Sequence, residues 1–203
     1  MKVVELDQNS PEWLKWREQG IGASEAGAVL GENPFCTPRE LAEIKLGMRV
    51  VEENEAMSRG KRLEPEARAM YQNLTGIEVR PVCIVHPKHS WLRASLDGLS
   101  LDGKIALEIK CPGKWPHFNT CKRNKVPSYY FAQIQHQFMA GAGKIKRIDY
   151  FSYRPDDPDC KPCWKIPVFP DKEYQDDLFA REKAFWDELE RVKSIDLTKP
   201  RED

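Results

Sequence analysis

The stretch from 96 to 110 constrains the fold most, because it predicts two neighbouring strands joined by a tight turn. Its second half alternates apolar and polar residues, the period of two that is typical of a strand with two unlike faces. Asp102-Gly103 favours a tight turn just before that strand, so the segment that carries Asp97 is expected to fold back as its hairpin partner. The pattern therefore brings Asp97 towards Glu108 and leaves Glu108 and Lys110 side by side.

Two carboxylates and an ammonium that converge in this way can support phosphodiester cleavage. Carboxylate oxygens suit Mg²⁺ or Mn²⁺, and a lysine beside them can orient an attacking water or, if its pKa is depressed, accept a proton. A plain alternative remains open, since a Glu-x-Lys pair on a strand is also typical of a solvent-facing surface.

The length and composition indicate one domain over residues 1–203, with a core at about 10–155 and a C-terminal amphipathic helix at about 171–193. The first residues lack the apolar core of a signal peptide, and no apolar run is long enough to span a membrane. We therefore expect a soluble, cytoplasmic protein. Six cysteines without a secretion signal are expected to be reduced thiols.

Positive charge is concentrated in the middle of the chain, although the formal net charge is zero. The segment 104–154 has ten Lys or Arg residues against two acidic ones, whereas 155–203 has nine basic and fourteen acidic residues. Either a solvated surface or salt-dependent binding of a polyanion explains such a segment. The residues expected to neutralise phosphates are Lys114, Lys122, Arg123, Lys125, Lys144, Lys146 and Arg147.

Two helix starts near the N-terminus suggest an anion site. Ser10 followed by Pro11 predicts the first helix, and a second start near Ser24 would present a hydroxyl and free N–H groups. Arg17 lies upstream as a possible bidentate phosphate partner, but a simple cap and a surface charge are the better explanation of the two residues unless other evidence places a phosphate there. Farther on, helical spacing places Glu64 near the beginning or a proline kink of a helix, as a possible third carboxylate.

The remaining signals predict an α/β (α+β) domain with a central mixed β-sheet flanked by helices. An antiparallel meander is expected first, then a helix from Pro127 to the glycines at 141 and 143, and then a returning strand. The predicted strands lie at 82–85, 91–95, 104–110 and 148–153.

Five segments in this order resemble the lambda exonuclease family of phage alkaline exonucleases, also called YqaJ-type viral recombinases. This family belongs to the PD-(D/E)XK, restriction-endonuclease-like superfamily. No single segment is specific, but the order of all five is. The matching segments are Trp13-Leu14-Lys15-Trp16-Arg17 with Gly22-Ala23-Ser24-Glu25, Gly60-Lys61-Arg62-Leu63-Glu64-Pro65-Glu66-Ala67-Arg68, Ser95-Leu96-Asp97-Gly98, Leu107-Glu108-Ile109-Lys110-Cys111-Pro112 and Tyr130-Phe131-Ala132-Gln133-Ile134-Gln135.

The resemblance implies a restriction-endonuclease-like core and a role for each matching residue. It implies that Asp97, Glu108 and the backbone carbonyl of Ile109 are metal ligands and that Lys110 positions the attacking water. Glu64 and Gln133 would complete the catalytic site. Three further residues resemble a pocket for a 5′-terminal phosphate, namely Arg17, Ser24 and Ser95.

The implied function is a Mg²⁺-dependent 5′-to-3′ exonuclease that digests one strand of linear double-stranded DNA and leaves 3′ single strands for recombination by annealing. Mn²⁺ can substitute, and two ions are expected. The resemblance also implies a homotrimer, a single-strand-annealing partner protein and DNA ends as substrate, in the cytoplasm of a bacterial host or encoded by a prophage. The chain departs from the family at His86-Pro87-Lys88-His89, where relatives can carry another acid, which leaves the second-metal ligands open.

Four alternatives to this function remain. An endonuclease of the same superfamily would use the same carboxylates. Cys160-Lys161-Pro162-Cys163 suggests an iron–sulfur nuclease, or a zinc-stabilised loop completed by His86 and His89, but a lone cysteine pair is a weak signal for either. A catalytically inactive module that binds DNA ends would be expected to have lost at least one residue of the site, whereas Asp97 and Lys110 are both present.

Overall fold

The computed structural model describes residues 1–195 as a seven-stranded sheet with helices on both faces. The strands are β1 (Lys2–Val4), β2 (Ile21–Gly22), β3 (Val79–Val85), β4 (Leu92–Ser100), β5 (Ile105–Lys110), β6 (Arg147–Tyr153) and β7 (Cys163–Val168). The helices are α1 (Pro11–Glu18), α2 (Ala26–Leu30), α3 (Pro38–Lys45), α4 (Glu55–Thr75), α5 (Lys114–Arg123), α6 (Phe131–Ala140) and α7 (Lys172–Ser194).

The sheet is mixed, as the sequence predicted. Its order is β1-β3-β4-β5-β6-β7, and the short β2 pairs in parallel with β4. Strands β3, β4 and β5 form the expected antiparallel meander, whereas β6 runs parallel to β5 and antiparallel to β7. The strands at both ends, β1 and β7, extend the sheet beyond the predicted core of about 10–155.

Local chemistry accounts for the elements that bring the site together. The Ser10 hydroxyl caps α1 by accepting the backbone N–H of Trp13, and Pro11 follows at the first helical position. Between β4 and β5, Gly103 has a φ of 71°, a left-handed conformation that glycine adopts without strain. The Asp102 carboxylate closes this turn by accepting the backbone N–H of Lys104.

Helices cover the two faces of the sheet with separate apolar clusters. On one face, Leu63, Ala67 and Tyr71 of α4 pack against Leu107 and Ile109 of β5. The other face is covered by α6, whose buried apolar residues pack with β5, β6 and α7. That cluster includes Ala106, Ile134, Phe138, Ile148, Tyr150, Trp186 and Leu189. Successive β5 side chains therefore face α4 and α6 alternately, and Glu108 points to the α6 side.

The helix α4 selects one of the two positions expected for Glu64. It begins at Glu55 and its cap is Asn54, so Glu64 lies in the middle of the helix, beside the internal Pro65, and not near the beginning. Because proline lacks an N–H group, it interrupts one helical hydrogen bond at this point. Within residues 1–195, no helix is both long and apolar enough to cross a membrane.

Candidate active site

The predicted hairpin acids meet where β4 and β5 separate. The two strands pair only through Gly98 with Leu107 and Leu99 with Ala106. Beyond those pairs, a side-chain hydrogen bond replaces the backbone pairing of the two strands. The Asp97 Oδ2 accepts the N–H of Ile109 at 2.7 Å. This side-chain hydrogen bond fixes the Asp97 carboxylate against β5.

The Glu108 carboxylate is buried, with 1% of its side chain exposed, and three donors bind it. Its Oε1 accepts the Gln133 amide at 2.7 Å and lies 2.6 Å from the Lys110 ammonium. Its Oε2 accepts the Gln137 amide. Lys110 also lies over the Tyr130 ring, 4.8 Å from the ring centroid, so its position is determined from two sides.

The electrostatics of this cluster favour binding of a cation. Burial raises the pKa of Asp97, and the neighbouring carboxylates of Glu108 and Glu64 raise it further. Burial acts to lower the pKa of Lys110, but Glu108, then Tyr130 and Asp97, outweigh it and the net shift is upward. A raised pKa favours the water-orienting role of Lys110 over that of a proton acceptor, the other role that the sequence left open. Lys110 is an ammonium that can donate hydrogen bonds.

Glu64 approaches the cluster from α4 but forms an ion pair with Arg68, one helical turn later. Arg68 in turn donates from Nε to the backbone carbonyl of Asp97 at 2.6 Å. The expected third carboxylate is therefore near Asp97, as its effect on the Asp97 pKa indicates, and Arg68 connects it to β4.

The donor set fits a hard divalent cation better than a soft one. Asp97 and Glu108 supply carboxylate oxygens, which Mg²⁺ and Mn²⁺ prefer, and the mutual repulsion at Asp97 is what a cation would relieve. Across residues 1–195, no group of three or more His, Cys, Asp and Glu side chains is arranged to bind a metal. Within that part of the chain, a metal held here would depend on two acids and on backbone or solvent oxygens.

The three residues expected in a phosphate pocket are brought together around Trp13. Its indole Nε1 donates to Ser95 Oγ at 2.8 Å, and the Arg17 guanidinium lies over its ring at 4.8 Å from the centroid. Arg17 also donates to Ser24 Oγ at 3.1 Å. Ser95 precedes Asp97 by two residues on β4, about 7 Å along the strand, so this pocket adjoins the acids.

An acid keeps the charge of this pocket low. Glu25 lies 3.3 Å from Arg17 and 2.7 Å from Lys45, and its Oε2 accepts the backbone N–H of Gly22. Burial opposes the charged form of Glu25, but Lys45 and then Arg17 hold its pKa below the usual value. Two cations and one anion leave a single net positive charge beside Ser24.

The residue-level prediction missed three side chains of these two clusters. Gln137 binds Glu108, Trp13 connects Arg17 with Ser95, and Arg68 connects Glu64 with β4. A signal for Gln137 was available, because it follows Gln133 by four residues and such residues share a helix face.

The basic segment divides between the two ends of the sheet. Lys144, Lys146 and Arg147 precede or begin β6, at the end opposite Lys110, and Arg147 forms an ion pair with the buried Asp149. Lys114 forms ion pairs with Asp157 and Asp159. The seven residues that were expected to neutralise phosphates therefore do not form one surface; Lys122, Arg123 and Lys125 lie on or just after α5, which follows β5.

The histidine and cysteine alternatives lack a metal-binding geometry. His86 and His89 stack on each other at 4.8 Å, and His89 packs against Phe179. The His86 Nδ1 accepts backbone N–H groups of its own turn. All six cysteines are free thiols, and no metal-binding group of three or more His, Cys, Asp and Glu residues is found over 1–195. A zinc loop and an iron–sulfur cluster are thus without support in this part of the chain.

Known proteins match most of this chain. The YqaJ-like viral recombinase domain model matches residues 12–144. The uncharacterized protein YqaJ of Bacillus subtilis (strain 168) is 30% identical over 186 residues, which are 90% of this chain and 57% of that protein. The chain therefore spans little more than half of that relative.

Solved structures extend the similarity to the fold. The alkaline exonuclease LHK-Exo from Laribacter hongkongensis is 30% identical with a TM-score of 0.79, covering 90% of this chain and 94% of that one. Its complex with dAMP is 32% identical with a TM-score of 0.78 and the same coverage. These matches confirm the predicted restriction-endonuclease-like fold with its central mixed sheet.

Proposed function

Because the chain belongs to the YqaJ-like viral recombinase domain family, we propose that it is a metal-dependent exonuclease acting on DNA. In this proposal it digests one strand of linear duplex DNA from the 5′ end and leaves a 3′ single strand. The observation that carries the proposal is the convergence of Asp97, Glu108 and Lys110 where β4 and β5 separate.

Asp97, Glu108 and the backbone carbonyl of Ile109 would hold two Mg²⁺ ions, for which Mn²⁺ can substitute. When bound, such ions neutralise the scissile phosphate and activate the attacking water. Lys110 would orient this water as a hydrogen-bond donor, since its ammonium lies 2.6 Å from Glu108 Oε1. Gln133 holds Glu108 in place, and Glu64 joins the site if it exchanges Arg68 for a new partner.

Arg17, Ser24 and Ser95 would bind the 5′-terminal phosphate. A guanidinium and hydroxyl groups make charge-assisted hydrogen bonds to phosphate oxygens, and the pocket adjoins Asp97 along β4. A terminal phosphate bound there positions the next phosphodiester for cleavage and favours ends over interior sites. This direction of digestion leaves a 3′ strand that a single-strand-annealing protein would receive, and a homotrimer would surround the DNA.

Digestion of an end-labelled linear duplex tests the proposed function. With Mg²⁺ we expect mononucleotides to be released from the 5′-labelled strand first, and with EDTA we expect no release. A duplex carrying the label at the 3′ end should lose it last. Early release of the 3′ label would indicate that digestion proceeds from the 3′ end. A substrate that stays intact in both Mg²⁺ and Mn²⁺ would favour an inactive DNA-end-binding module.

The phosphate pocket has a test of its own. A duplex with 5′-phosphate should be digested faster than one with 5′-hydroxyl, and Arg17→Ala should reduce that difference while Mg²⁺ dependence is unchanged. Arg39→Ala is the matched control, because Arg39 is 89% exposed and, among residues 1–195, pairs only with Glu43 on its own helix. Equal rates on both ends in the unmutated protein would remove the pocket from the proposal.

A further inference from the structure

We propose that the exposed face of α5 is a binding surface for single-stranded DNA beside the active site. This inference rests on the proposed function and adds a substrate surface to it. We define the α5 surface by Trp115, Phe118, Lys122, Arg123 and Lys125.

Two aromatic rings on this surface face solvent. Trp115 is 70% exposed and Phe118 is 41% exposed, and the two rings meet edge to face with 6.3 Å between centroids. Exposed rings of this size are costly in water, since burying them against another surface is favourable. Base stacking on such rings is sequence-tolerant and needs unpaired bases, because the faces of paired bases are covered in a duplex.

Unpaired positive charge accompanies the aromatic rings. The helix α5 contains no acidic residue, and Lys122, Arg123 and Lys125 form no ion pair with any residue of 1–195. The Lys122 ammonium lies 5.9 Å from the Phe118 ring centroid.

On α7, by contrast, lysine and arginine side chains are paired along the helix with acids three or four residues away. Pairs of this kind include Lys172–Asp176, Arg181–Asp177, Lys183–Asp187 and Arg191–Glu188. The α5 surface is therefore complementary to a polyanion, whereas α7 is not.

The fold attaches this surface to the active site. The cap of α5, Gly113, follows Lys110 by three residues. The buried side of α5 is held by His117, whose Nδ1 is 2.7 Å from Ser152 Oγ, and Ser152 is the β6 residue paired with Lys110. In a parallel pair the opposed side chains project to the same face, so α5 packs on the Lys110 side of the sheet.

These observations favour unpaired DNA over duplex and over protein. A protein partner would need acidic side chains placed beside an apolar pocket, whereas a nucleic acid carries a negative charge at every nucleotide; a duplex would match the cations but leave the rings unstacked. Single-stranded DNA satisfies both features. An exonuclease that digests one strand exposes such a strand next to its active site at every step.

The test measures binding of a fluorescent oligothymidylate by anisotropy in EDTA, where cleavage is absent, at several salt concentrations. Trp115→Ala should weaken binding about tenfold. Lys122→Gln should weaken it and reduce the salt slope by roughly 0.7. The matched controls are Phe169→Ala, a 61% exposed ring elsewhere, and Lys88→Gln, an exposed lysine at the β3–β4 turn; both should bind like the unmutated protein.

The same series on a blunt duplex decides what the surface recognises. Trp115→Ala should leave duplex affinity nearly unchanged. If single-strand affinity is unaffected, or if both affinities fall equally, the inference is overturned. Thermal unfolding of each variant identifies any change in stability. Digestion of linear duplex by the unmutated protein is measured on the same preparation, so failure of the proposed nuclease function is recognised separately.

Discussion

Glu108 has little capacity left for further partners, and this limits how it can bind a metal. Its two oxygens offer about four lone-pair sites, and donors from Gln133, Gln137 and Lys110 occupy three of them. Only one site remains unless a donor moves. At the scale of residues, the amides of α6 therefore determine which part of this carboxylate faces a cation.

Lys110 and Asp97 should differ in what their loss removes. Lys110→Met should slow single-turnover cleavage at least about a hundredfold and leave DNA affinity unchanged, because in the proposed mechanism the Lys110 ammonium acts on the attacking water. Asp97→Asn should abolish cleavage and also weaken Mg²⁺ binding, since it removes a proposed ligand. Calorimetric Mg²⁺ titration and single-turnover assays separate the two. If the Lys110→Met variant cleaves DNA at the rate of the unmutated protein, the proposed role of Lys110 is wrong.

Gln137 should affect Mg²⁺ affinity although it lies behind the acid. Gln137→Leu removes the donor to Glu108 Oε2, and we expect the Mg²⁺ dissociation constant to rise about tenfold, as is typical when a group supporting a ligand is lost. Gln135→Leu is the control on the same helix, because Gln135 is equally buried but contacts Phe169, Asp171 and Gln175. Both variants should be less stable than the unmutated protein. An equal Mg²⁺ affinity in the two variants would exclude a specific role of Gln137 in metal binding.

At the scale of elements, a buried ion pair joins α6 to α7. His136 Nδ1 lies 2.6 Å from Glu182 Oε1, and its Nε2 donates to the Arg93 carbonyl. A carboxylate at Nδ1 and a carbonyl at Nε2 favour the positively charged imidazolium, in which both ring nitrogens donate. Burial acts to lower the pKa of His136, but Glu182 and then the Arg93 carbonyl outweigh it, and the net shift is upward.

This pair should make stability decrease in alkaline solution. A raised folded-state pKa contributes stability that is fully present below the unfolded value of about 6.5 and is lost as pH rises through the folded value. Glu182→Gln should cost about 3 kcal/mol of unfolding free energy at low pH and less at high pH. Urea unfolding across neutral to alkaline pH measures this. If the unfolding free energies of the variant and the unmutated protein differ by the same amount at every pH, the proposed titration of His136 is wrong.

Sequence reasoning found the elements that have local signals. The Ser10-Pro11 cap and the Asp102-Gly103 turn act within a few residues, so α1 and the β4–β5 hairpin were predictable. It missed α5, because the buried side of that helix is made by His117 and Thr120 and gives no apolar period. It also missed β7, where Pro167 is tolerated because the strand lies at the edge of the sheet.

Within the candidate site, adjacency along strands was predictable and contacts between elements were not. Glu108 and Lys110 share a face because they are two residues apart on β5. The Arg68 contact with Glu64 and β4, by contrast, depends on how α4 crosses the sheet. The upward pKa shift of Lys110 depends on Glu108, Tyr130 and Asp97. Because Tyr130 and Asp97 lie outside β5, no local pattern contains that information.

At the scale of the whole molecule, the zero net charge gives little general attraction for DNA. In the proposed function, binding would then come from local positive regions such as the α5 surface and from ions held by the acids. A protein of this kind should bind ends that fit its site, with an affinity that falls steeply as salt increases.

Closed circular DNA should be resistant, whereas the linearised plasmid should be digested at rates that rise towards alkaline pH as the attacking water is more readily deprotonated. Light scattering should give three times the chain mass of 23.5 kDa if the DNA threads through a homotrimer. Rapid linearisation of the closed circle would indicate an endonuclease with the same acids. If the protein is a monomer and still degrades only linear DNA, the threading proposal is wrong, but the proposal that cleavage requires a DNA end is retained.

The polar side chains of α6 point in several directions at once, and this affects which genetic changes the protein can tolerate. Gln133 and Gln137 reach Glu108, Gln135 reaches the chain before α7, and His136 reaches Glu182. One residue inserted early in this helix would rotate everything after it by about 100°. Such an insertion would separate Gln135, His136 and Gln137 from their partners together, so we expect natural length variation among relatives to avoid α6 and to occur in surface loops.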